Sequence, residues 1–116
     1  MNEKILKYLF DIQLSINEID SFFKNDVYNY DNYKSNQLLK RAVERDLEII
    51  GEAMNRILKE DNLFPIENAK KIIGLRNQII HSYDNISVEN IWGIVVKHLP
   101  KLKIEIEQLI NSNYKE

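Results

Sequence analysis

Six apolar residues near the start of the chain, Ile5, Leu9, Ile12, Ile16, Ile19 and Phe23, follow one another at spacings of four, three, four, three and four. An α-helix turns about 100° per residue, so this spacing keeps all six on one stripe. A strand would scatter them over both its faces. Leu6, Phe10 and Phe22 widen the stripe, while Lys4, Lys7, Asp11, Asn17 and Glu18 take mostly other faces. The pattern predicts a helix over residues 2–24 whose apolar side must be covered by other helices.

The same period returns twice. Over residues 35–60, Leu39, Val43, Asp46, Ile50, Ala53 and Ile57 form the inner line, flanked by Leu38, Ala42, Leu47, Ile49, Met54 and Leu58. Over residues 88–111 the line is Val88, Ile91, Val95, Leu99, Leu102, Ile106 and Leu109, with Trp92 and Ile110 beside it. Between these, Asp61-Asn62-Leu63-Phe64-Pro65 reads as a break, with Pro65 suited to the first turn of a helix over residues 66–82. Ile66, Ala69, Ile73 and Ile80 would face inward from it. Asp84-Asn85-Ile86-Ser87 is the next turn, and Ser87 is a good N-cap for the last helix. Pro100 removes one backbone bond from that helix and should bend it. Residues 111–116 read as a frayed tail. The prediction is an all-α fold, one domain over residues 1–116, built as an antiparallel bundle of four and up to five helices.

Residues 25–33 read as a loop, because Asn and Asp compete for backbone hydrogen bonds. The loop carries Tyr28, Tyr30 and Tyr33. These rings can pack on the end of the bundle or stack on unpaired bases. Two glycines carry a packing expectation: Gly51, inside a helix, and Gly74 would permit a close helix crossing.

Composition narrows the function. With no cysteine, disulfides, thiolate metal sites and a cysteine nucleophile are excluded. The two histidines, His81 and His98, form no HExxH pair, so a dedicated zinc site is not expected. Glu44, Glu48 and Glu52 are spaced as carboxylate pairs along one helix, and a solvated face is the ordinary reading of such spacing. The start of the chain lacks a signal-peptide apolar core, and no run is long enough to span a membrane. The expectation is a cytoplasmic protein. A formal charge of −2 argues against a broad, non-specific nucleic-acid binder but permits a small phosphate site.

Such a site is drawn by Arg76, Asn77, His81 and Tyr83. On a helix Arg76, Asn77 and His81 share one arc, and Tyr83, seven residues beyond Arg76, lies nearly in register with it. An arginine fork holds two phosphate oxygens, and an imidazole moves protons near neutral pH. The same spacing also suits a histidine capping the end of a helix and an arginine paired with an acid. Asp46 interrupts an otherwise apolar stripe and must find a partner or face water; Arg76 is a candidate.

Arg76-Asn77-Gln78-Ile79-Ile80-His81-Ser82-Tyr83 resembles the R-x4-H-x-Y motif of HepT-like proteins in the HEPN superfamily. The resemblance extends to Arg41–Ala53, similar to the family's second-helix signature, to Ile72–Asn77, to Asp84, and to Ile91–Val95 with Leu99-Pro100. It implies a HEPN-type bundle that forms a homodimer with the motif helices near the interface. It implies a metal-independent endoribonuclease that needs no cofactor, acting as the toxin of a type VII-like toxin–antitoxin pair. The antitoxin would be a minimal nucleotidyltransferase that adenylylates the motif tyrosine, here Tyr83. Arg76 and His81 would be catalytic toward RNA, with Asn77, Asp46 and Tyr83 in support. The alternative is a non-catalytic helical adaptor that binds a nucleotidyltransferase or a nucleotide, a reading favoured by the acidic charge balance.

Overall fold

Asparagine opens each of the first three helices in the computed structural model, which describes residues 2–24, 28–67, 72–74 and 88–114. The Asn2 side chain accepts from the Lys4 backbone N–H (2.7 Å) at the start of α1, Glu3–Phe22. Asn29 does the same for Asn32 (3.2 Å) in α2, Tyr30–Ser35, and Asn36 for Leu39 (3.0 Å) in α3, Gln37–Glu60. Each bond satisfies an amide that the first helical turn leaves without a partner. The later helical region is α4, Val88–Gly93, a π-helical turn over Ile94–His98, and α5, Leu99–Tyr114. Ile72–Gly74 is also helical. No strand occurs among the described residues, so the expected all-α class holds.

Two polar contacts fix the helix directions. Asn2 and Lys4, at the start of α1, reach Glu60 at the end of α3 (3.4 and 3.8 Å). Asp20, near the end of α1, meets Lys103 near the start of α5 (2.9 Å). The first helix is therefore antiparallel to both neighbours. Its stripe of Ile5, Leu9, Ile12, Ile16, Ile19 and Phe23 is buried along its whole length, against Val43, Leu47, Ile50, Met54 and Ile57 of α3 and Leu102, Ile106 and Ile110 of α5. Burying each such side chain contributes about 1.5–3 kcal/mol, which is why this pattern governs the fold.

Three sequence expectations need correction. Residues 30–33, expected as loop, are helical within α2: Asn29 is a cap rather than a breaker, and Tyr33 is wholly buried. Pro65 does not open a helix. Asp61 builds a turn instead, accepting from Leu63 and Phe64, and the Ile66 N–H is taken by the Phe64 carbonyl at 2.9 Å. With its amide so used, buried Ile66 and its neighbour Glu67 stay non-helical, and the rest of the proposed 66–82 helix lies outside the described residues apart from Ile72–Gly74. The frayed tail is helical through Tyr114. At Gly74 a Cβ would meet nothing within 4 Å among the described residues, and the residues on either side of 72–74 lie outside them; Gly51 is buried in α3.

A π-helical turn precedes Pro100, where the sequence leads one to expect a bend. The Leu99 N–H donates to the Ile94 carbonyl, a π-type bond that widens the helix just before the proline. A proline ring crowds the carbonyl four residues back, and one wide turn relieves that crowding without breaking the helix.

Tyr33 carries the first testable consequence. Its ring is fully buried and its hydroxyl has no hydrogen-bond partner among the described residues, with burial and then Glu44 raising its pKa. Tyr33→Phe removes only that hydroxyl. Chemical denaturation should show unchanged or higher stability, by about 1 kcal/mol. A loss of that size would mean that the hydroxyl is satisfied.

Candidate functional site

Arg76, Asn77, His81 and Tyr83 lie outside the described residues, as does the turn 84–87. The supporting acid Asp46 is described, and its surroundings are specific. It sits on the core side of α3 with 3% of its surface exposed, and its Oδ2 has no partner among the described residues. The antiparallel register of α1 and α3 brings it to Ser15 and Glu18 of α1. Burial pushes its pKa up to about 6, and the Glu18 carboxyl adds to the rise; the Ser15 hydroxyl and Arg45 pull the other way. Ser15 is the other buried polar side chain of the described interior. The sequence singled out Asp46 but not its companions, because Ser15 and Glu18 come near it only through the packing of two helices.

The arrangement predicts a pH dependence. An unfolded aspartate titrates near 3.8, so between there and about 6 the folded chain holds the proton more tightly. Stability should therefore fall as pH rises through that window, by about 2–3 kcal/mol from this residue. Denaturation between pH 4 and 7 should show that slope, and Asp46→Asn should flatten it. An Arg76 guanidinium against Oδ2 would reverse the sign, holding the carboxyl ionised and below its ordinary range. A titration of Asp46 below about 4 would therefore assign it to Arg76 rather than to Glu18.

The tyrosines pack. The Trp92 ring lies 5.7 Å from Phe23, 6.2 Å from Tyr28, 5.9 Å from Tyr30 and 5.2 Å from Tyr33. Tyr28 also stacks on Phe23 at 4.6 Å and donates its hydroxyl to Asp20, the same carboxylate that holds Lys103. The end of α1, the segment 28–35 and α4 are joined at this one indole. Sequence reasoning noticed the tyrosines and the tryptophan but not that they meet.

Along the carboxylate face of α3, Glu52 holds Arg56 at 3.0 Å, and a groove of about 300 Å³ runs between Glu48, Ile49 and Glu52 on one side and Lys7, Tyr8 and Asp11 on the other. No group of three His, Asp or Glu side chains among the described residues is placed to hold a metal ion. His98 is half-buried and has a partner. No helix among the described residues is long and apolar enough to cross a membrane.

Comparison with known proteins places these features. Residues 12–109 match the family model described as Ribonuclease HepT-like. The chain is 40% identical over 102 residues to "Putative RNase MJ1380" of Methanocaldococcus jannaschii, covering 86% of this chain and 91% of the relative. It is 33% identical over 109 residues to "Putative RNase MJ1216" of the same organism, covering 93% and 88%. To "Putative RNase TTE0752" of Caldanaerobacter subterraneus it is 30% identical over 88 residues, covering 72% and 76%. No solved structure matches the chain. The matched span takes in α3 with Asp46, the Arg76–Tyr83 motif and the Trp92 helix, and the chain belongs to the HepT-like ribonuclease family of all-α HEPN proteins.

Proposed function

We propose that this protein is a metal-independent endoribonuclease and the toxin of a toxin–antitoxin pair. The observation that carries the reading is the family match over residues 12–109, inside which Arg76, Asn77, His81 and Tyr83 all stand. Arg76 binds the scissile phosphate and stabilises the charge that gathers on it. His81 takes the proton of the ribose 2′-hydroxyl or delivers one to the leaving oxygen. Asn77 orients the imidazole or the phosphate. The attacking hydroxyl belongs to the substrate, so the chemistry needs no metal-bound water. In a homodimer the two copies of His81 can divide the roles of base and acid across the two-fold axis.

Tyr83 is the control point of the proposal. A nucleotidyltransferase antitoxin that adenylylates it would place a bulky anion beside Arg76, occupying the guanidinium and blocking RNA at once. Asp46 supports the site if Arg76 reaches its open oxygen, which the titration above decides.

The test is cleavage of RNA by the purified chain with a chelator present. Chelator-resistant cleavage is expected. Binding of a nucleotide or a nucleotidyltransferase without any cleavage would instead favour the adaptor reading, toward which the net charge of −2 leans.

A further inference from the structure

A cleft of about 620 Å³ opens at the aromatic end of the bundle, between the end of α1, α2 and the start of α3. Phe22, Phe23 and Leu39 form its apolar wall, and Asn29, Asn32 and Gln37 are among its polar lining; among the described residues no charged side chain lines it. Asn29 and Asn36 use their carbonyl oxygens as helix caps, and their NH2 groups have no partner among the described residues. Side-chain amides offer a donor and an acceptor in one plane, the pattern presented by the edge of a nucleobase. Among the described residues the lining is amide and apolar, which suits an uncharged base better than an anion or an amine. The segment that lines the cleft is cationic in sequence: residues 29–41 carry Lys34, Lys40 and Arg41 against the single acid Asp31, with Glu44 near Lys40 and Arg41.

We propose that this cleft binds a nucleobase of single-stranded RNA, as a subsite separate from the Arg76–His81 motif. The proposal rests on the RNA reading given above and gives that reading a place where unpaired bases are held. It accounts for the amide-rich segment between α1 and α3, whose aromatic rings are spent on packing.

Trp92 is the one tryptophan of the chain and lies 5.7 Å from Phe23, so its fluorescence reports on the cleft. The native chain is titrated with a short single-stranded 2′-O-methyl RNA, which lacks the attacking hydroxyl, and with an abasic strand of equal length. Saturable binding is expected, about tenfold weaker for the abasic strand, for Asn32→Ala and for Gln37→Glu. A glutamate at the first turn of α3 favours the helix, so Gln37→Glu should fold normally. Equal binding of the two strands, or equal binding by native chain and both variants, overturns the proposal. Displacement of the strand by AMP alone would assign the cleft to a free nucleotide and overturn it likewise. Binding is measured without turnover, so a chain that binds but does not cleave refutes the nuclease reading and leaves this one standing.

Discussion

Replacing His81 with alanine is expected to slow RNA cleavage by about 10²–10⁴-fold, the range that positioned acid–base catalysis supplies. An imidazole is the one side chain whose ordinary titration range allows it both to accept and to release a proton near neutral pH. With no cysteine in the chain, no thiolate can substitute for it. The measurement is steady-state cleavage of a labelled RNA, with oligomeric state checked by light scattering so that a lost dimer is not mistaken for lost chemistry. Arg76→Lys separates charge from geometry, since lysine keeps the cation and loses the two-pronged grip on phosphate; it should also impair cleavage. Undiminished cleavage by the His81 variant would remove the imidazole from the mechanism and with it the two-fold division of base and acid.

Trp92→Ala should produce the largest loss of stability predicted here, about 3 kcal/mol, which for a chain of this size lowers the melting temperature by about 10–15 °C. The indole is ringed by Phe23, Tyr28, Tyr30 and Tyr33 at centroid distances of 5.2–6.2 Å. Removing it takes away the contact shared by four rings on two segments, Phe23 at the end of α1 and Tyr28, Tyr30 and Tyr33 on residues 28–35, which cannot all close the gap without shifting one segment on the other. Trp92→Phe retains an aromatic centre and should lose about half as much or less. A melting temperature for the alanine variant within a few degrees of the native value would show that the four surrounding rings close the gap, and that the end of the bundle is less rigidly built than its packing implies.

Parts of this protein are written in local periodicity. The stripe from Ile5 to Phe23 predicts α1 to within two residues at either end, and Val43, Ile50 and Ile57 predict the buried line of α3. Helical period and capping act over a few residues, so a single segment carries them. The Arg76–Tyr83 motif has a spacing that would share one helical arc, and it lies outside the described residues. Residues 30–33 are not legible as helix because propensity counts asparagine as a breaker, whereas Asn29 stands where a breaker becomes a cap. Pro65 was misread because the turn bonds of Asp61 were invisible in composition.

The chain alone thus determined the long helices at either end and in the middle, which of their faces turn inward, and that residue 46 is an acid in an apolar line. Only the packed molecule decided that Ser15 and Glu18 would be that acid's neighbours, that Asp20 would join Tyr28 to Lys103, and that rings from two segments would converge on Trp92. The division has a physical cause. A helix sets side-chain direction within one turn, but the register of one helix on another is chosen by how whole faces interlock, and that choice involves residues dozens of positions apart.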